Sequence, residues 1–111
     1  MSIEYRKVTL SDGVTLQILG YSDVMLTAQL WFEGKGFPGT HHHENEEVNV
    51  VIAGEFMATL GDRQFPAGVG VAVRVPSNVE HNMECVSGTA SMISTWSPPR
   101  QDFIDKFAIP A

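Results

Sequence analysis

Short runs in which apolar and polar residues alternate recur along the chain, and a turn signal cuts off each one. Alternation places successive side chains on opposite faces of a strand. Residues 14–21 follow the turn Ser11-Asp12-Gly13, and residues 24–32 follow Ser22-Asp23. In that second run Leu26, Ala28, Leu30 and Phe32 share an apolar face. Met25, Thr27, Gln29 and Trp31 form a mixed face, of the kind that lines a pocket. A Gly-rich loop at 33–39 leads to a return strand at 48–53, closed by Gly54. Residues 55–60 and 63–65 read as a hairpin around Gly61-Asp62. Residues 71–75 run into Pro76, which cannot donate to a ladder. A strand opening at His81 puts His81, Met83 and Cys85 on one face; in the strand at 89–97 Ala90, Met92, Ser94 and Trp96 share another. Pro98-Pro99 stops that strand, and Phe103, Ile104 and Phe107 are spaced for a short C-terminal helix. The pattern predicts an all-β barrel or sandwich. At 111 residues, 1–111 is expected to form a single domain with one core.

The chemistry concentrates between Thr40 and Gly54. Of the four histidines, three are consecutive (His41, His42, His43), and the fourth, His81, lies on a later strand. Alternation turns His41 and His43 to one side and His42 to the other. Glu47 is close enough for a short turn to bring its carboxylate beside the two imidazoles. Glu44 and Glu46 read as solvated turn residues. Asn78, after Pro76, tolerates the left-handed backbone of a tight turn. Three imidazoles and a carboxylate make a first shell for one divalent transition metal, with Zn, Mn, Fe and Ni all suited.

Composition narrows the partners. A net charge of −6, with seven Lys and Arg, gives no basic face for phosphate, so no nucleic acid is expected. A local Arg and a metal could still hold an anionic small molecule. No apolar run spans a membrane, and the N-terminus lacks a signal-peptide layout. One cysteine suits a reducing compartment, so a cytoplasmic location is expected. With Glu47 facing inward, Val48, Val50 and Ile52 face outward. A β-branched row of that kind calls for a covering surface, and a homodimer is expected.

Two motifs resemble those of the cupins, small double-sheeted jelly-roll β-barrels with a metal at the mouth. His41, His43, Glu47 and Gly54 match the first motif, with Gly36 one residue nearer to His41 than the pattern has it. Gly70, Pro76 and His81 match the second, with Asn78 where the family has Gly and Cys85 where it has Asn. The resemblance implies a jelly-roll cupin whose metal ligands are His41, His43, Glu47 and His81.

Over most of the chain the order of segments, ending in Ser97-Pro98-Pro99-Arg100-Gln101-Asp102-Phe103, is similar to the KdgF-type cupins. Those proteins open 4,5-unsaturated monouronates to the linear keto form. Carried across, their aromatic falls on Trp96 and their arginine on Arg100, while their Asp position holds Ser94. The resemblance implies catalytic roles for Arg100, Trp96 and the Ser94 position. It points to an isomerase, hydratase or lyase for a small carboxylated sugar or keto acid. An alcohol is a poor general base beside a carboxylate. A metal-dependent dioxygenase and a non-catalytic ligand-binding cupin therefore stand as alternatives.

Overall fold

The computed structural model describes residues 3–111. Nine strands and one helix follow in order: β1 (Lys7–Ser11), β2 (Val14–Tyr21), β3 (Leu26–Glu33), β4 (Glu46–Ala53), β5 (Phe56–Leu60), β6 (Arg63–Ala67), β7 (Ala72–Val75), β8 (His81–Cys85), β9 (Thr89–Ser97) and α1 (Gln101–Phe107). All pairing within the two sheets is antiparallel. One sheet has the order β1-β2-β3-β9-β4-β7 and the other β6-β5-β8. The two sheets bear out the all-β architecture that the strand pattern predicts and the jelly roll that the resemblance implies, with each sheet keeping its own edges rather than closing into one continuous ladder.

The inner faces of both sheets share one core. Leu16, Ile18, Leu26, Leu30, Phe32, Val51 and Met92 come from the large sheet and Phe56, Ala58, Met83 and Cys85 from the small one. Phe32 meets Phe56 edge-to-face across the layers, with ring centroids 5.1 Å apart. Such a pair adds about 0.5–1.5 kcal/mol beyond its area burial. On β8 the inward face is His81, Met83 and Cys85, all buried. On β4 it is Glu47, Asn49 and Val51, while Val48 and Ile52 are exposed.

The mixed face of β3 does not line a pocket. Thr27, Gln29 and Trp31 turn outward, where Thr27 Oγ1 lies 2.9 Å from Thr95 Oγ1 and Lys7 Nζ sits 4.2 Å above Trp31. Leu30, from the apolar face, reaches the cavity instead. The strand also starts later than expected, because Ser22–Met25 form a hydrogen-bonded turn. Alternation did not mark β1, a half-exposed edge strand held by β2.

α1 lays Phe103, Ile104 and Phe107 against the core, and Phe103 meets Trp96 edge-to-face at 5.4 Å. Beyond it the two chain ends are tied together, with Arg6 N donating to Ile109 O and Ala111 N to Glu4 O. The helix is thereby fixed beside the mouth of the fold. Among the described residues no helix is long and apolar enough to cross a membrane.

Candidate metal centre

The loop before β4 and the first residue of β8 deliver the imidazoles. The backbones of His41 and His81 form a bridge outside the named ladders. Asn78, at φ 61°, turns its N–H onto the His43 carbonyl at 2.8 Å. The left-handed turn expected at Asn78 thus ties the loop before β8 to the histidine run. Asn45, which is buried, donates to the Pro98 carbonyl at 2.6 Å and anchors the other side of that run to the end of β9.

His41, His43 and His81 each offer a ring nitrogen, and these three atoms lie within 4.8 Å of one another. Burial pushes the His41 pKa down, and the neighbouring His81 adds to that, so the neutral ring is favoured. His43 Nδ1 lies 2.9 Å from the Asn45 carbonyl and His81 Nδ1 2.9 Å from the Val79 carbonyl. A carbonyl only accepts, so both Nδ1 atoms carry a proton and both Nε2 atoms face the site. His81 Nε2 is buried without a hydrogen-bond partner.

Glu47 stands beside this trio, with Oε1 3.1 Å from His43 Nε2 and Oε2 3.6 Å from His81 Nε2. Trp96 Nε1 donates to Oε1, and Asn49 Nδ2 donates to Oε2 at 2.7 Å. Burial works against the Glu47 charge. The adjacent imidazoles of His43 and His81 and the hydrogen bond from Asn49 outweigh it and hold the carboxyl far below the usual carboxylate range. Burial likewise opposes a charged His81, yet Glu47 and the Val79 carbonyl hold its pKa above the ordinary value. Two ring nitrogens aimed at a carboxylate need a cation between them or a second proton on each ring. Imidazoles whose far N–H groups are held by carbonyls are the arrangement that divalent ions select. The donor set therefore fits one divalent transition ion.

A cavity of about 510 Å³ opens over these side chains. His41, His43, Glu47 and His81 form its polar floor; Leu30, Met92, Trp96, Phe37 and Phe103 form apolar walls, and Arg100 lies at its side.

A cupin-domain family model matches residues 32–96, more than half of the sequence. The chain belongs to the cupin family. It is 29% identical over 97 residues to the pectin degradation protein KdgF of Dickeya dadantii (strain 3937), covering 86% of this chain and 87% of that protein. Among solved structures, an RmlC-like cupin from Shewanella frigidimarina NCIMB 400 superposes with a TM-score of 0.84. It is 26% identical and covers 89% of this chain and 88% of its own. KdgF from Halomonas sp. also superposes with a TM-score of 0.84. At 19% identity over 89% of this chain and 91% of its own, that likeness concerns the fold.

The glycines of this cupin's first motif have steric reasons. A Cβ on Gly54, at φ +71°, would run into the Thr89 carbonyl and the Ala90 Cα. One on Gly36 would strike the Phe32 ring. Cys85 packs in the core, paired with Phe56 in the β5–β8 register, away from the imidazoles.

The three residues expected around the substrate are placed differently from one another. Trp96 lines the cavity and commits its indole N–H to Glu47. Arg100 lines it too, stacked 4.0 Å over Phe103, with Nε and Nη2 on the Asp102 carboxylate. The guanidinium holds that carboxyl below its usual range. Ser94 shares the strand face of Trp96 but does not reach the cavity. It is fully buried, and its hydroxyl donates to Asn49 Oδ1 at 2.6 Å. Ser94 thus lies beneath the cavity floor and outside its lining. Sequence reasoning gave no site role to Asn49 or Asp102, and it turned His42 away from the other two imidazoles of its run. His42 borders the cavity, with Nδ1 2.9 Å from Glu80 Oε1. The inward parity of Asn49 with Glu47 was its one visible signal.

Proposed function

We propose that this cupin is a metal-dependent enzyme that isomerises, hydrates or ring-opens a small carboxylated sugar or keto acid. His41, His43, His81 and Glu47 would hold one divalent transition metal. The observation that carries the reading is the pair of Nε2 atoms, on His43 and His81, turned toward Glu47 with both Nδ1 atoms held by carbonyls. The likeness to a protein of pectin degradation supports a uronate-type substrate.

When bound, such an ion supplies Lewis-acid polarisation of a substrate carbonyl or hydroxyl. The chain's own residues account for the rest. Arg100 has five N–H groups, and those not engaged by Asp102 remain for a substrate carboxylate. Leu30, Met92, Trp96 and Phe103 give the ring an apolar wall and exclude water. Trp96 and Asn49 orient Glu47 through hydrogen bonds to its two oxygens. Ser94, sealed from the cavity, has no part in proton transfer to substrate.

We also propose a homodimer, in which a second copy covers the outward row of Val48, Val50 and Ile52.

The test is elemental analysis of protein purified without a histidine tag, then a panel of unsaturated uronates with dissolved oxygen followed on the same sample. About one divalent ion per chain and uronate consumption without oxygen uptake are expected. Oxygen uptake would move the protein to the dioxygenases, and tight ligand binding without turnover would make it a binding module.

A further inference from the structure

Asn49 and Ser94 are both 0% exposed, although each is polar. They come from neighbouring strands, where the register of β4 and β9 sets them directly opposite each other. Ser94 Oγ donates to Asn49 Oδ1 at 2.6 Å, and Asn49 Nδ2 donates to Glu47 Oε2 at 2.7 Å. The chain of donors runs one way. The Asn49 amide has an accepting end and a donating end, and Ser94 occupies the accepting one. Turned over, the amide would put its carbonyl oxygen against the Glu47 carboxylate. Without the Ser94 hydroxyl that carbonyl would be buried and unsatisfied. A buried polar pair is a costly way to fill a core that apolar side chains fill well. This pair ends on the one carboxylate in the cavity floor.

We propose that Asn49 and Ser94 are positioning residues for the metal centre: together they hold the Glu47 carboxylate facing the ring nitrogens of His43 and His81. The inference rests on the metal reading given above. It assigns to Ser94 a part in ion affinity, exerted through Asn49 and Glu47. Trp96 fixes the other carboxylate oxygen, so the orientation is set from two strands at once.

The test is a cobalt(II) titration of metal-free wild type, Ser94→Ala, Asn49→Ala and Ser94→Thr. It is read by the visible absorption of bound cobalt, beside the thermal midpoint of each metal-free protein. Loss of an outer partner of a metal ligand costs on the order of 10–100-fold in affinity. Asn49→Ala is expected within that range and Ser94→Ala near its lower end. Ser94→Thr, which keeps the hydroxyl, is expected to bind close to wild type. Should Asn49→Ala fail to fold, Ser94→Ala decides, since it removes one oxygen atom only. Cobalt affinity equal to wild type in the alanine variants, with only the midpoints lowered, overturns the proposal and leaves the pair as core structure. A wild type that binds no cobalt overturns the metal reading and this inference with it.

Discussion

The main chains of His41 and His81 exchange two hydrogen bonds, at 3.0 Å and 2.9 Å, and so bring two imidazoles from distant parts of the chain to ring centroids 4.3 Å apart. The contact is made by backbone atoms, so it survives a change of either side chain. Ligand placement and ligand chemistry are therefore separable by mutation. His81→Ala is expected to keep the fold and lose more than the 10–100-fold in metal affinity that removal of an outer partner costs. Metal content equal to wild type, measured on protein of unchanged far-UV circular dichroism, would remove His81 from the centre.

Arg100→Ala tests the carboxylate grip. A hydrogen bond to a charged group contributes about 1.5–3 kcal/mol, which corresponds to roughly 10–100-fold in affinity. The KM for an acidic substrate is expected to rise by that factor, with metal content unchanged. Arg100→Lys should not restore it, because an ammonium cannot stack over Phe103 and reach a carboxylate with a planar fork. An unaltered KM in Arg100→Ala would place Arg100 outside the substrate site.

The outward face of β4 tests the assembly. Val48 and Ile52 are 37% and 39% exposed, and the register sets Ile93 of β9 beside Val50 between them. A two-fold partner would cover this row with its own copy, so a charge placed there meets itself. Val48→Glu combined with Ile52→Glu is expected to lower the sedimenting mass from two chains to one and leave metal content intact. A wild type that already sediments as one chain rules the dimer out.

The sequence carried much of this. Parity alone put His81, Met83 and Cys85 on one face and set Val48 and Ile52 on the face opposite Glu47. Pro98-Pro99 ended β9 and Gly61-Asp62 turned β5 into β6, and Asn78 took the left-handed backbone expected of it. Parity says which residues share a face, not what that face meets. The mixed face of β3 therefore passed for a pocket wall until the sheet order set it against solvent. Depth was equally hidden. Ser94 and Trp96 have the same parity, yet only Trp96 is long enough to pass Asn49 and reach the cavity, and the Ser94–Asn49 bond depends on a pairing between distant strands. Asp102 lies in the resemblance-bearing segment, but its grip on Arg100 appears only once α1 is formed.

Ser94→Asp separates architecture from chemistry in the likeness to KdgF-type cupins, whose Asp falls at this position. Were the likeness one of mechanism, the variant would gain a proton shuttle and open unsaturated uronates faster. The surroundings argue otherwise. Ser94 is 0% exposed and donates to Asn49 Oδ1, whereas an ionised Asp can only accept. The new carboxylate would face that carbonyl oxygen, or force the Asn49 amide to turn and present its oxygen to Glu47. Either result puts uncompensated negative charge under the cavity floor. The expected outcome is no gain in uronate opening, measured as loss of substrate absorbance, together with weaker retention of metal on dialysis. Faster opening with metal retained would show that residue 94 reaches the substrate after all, and the buried hydrogen bond to Asn49 would then be a substitute for a lost catalytic group.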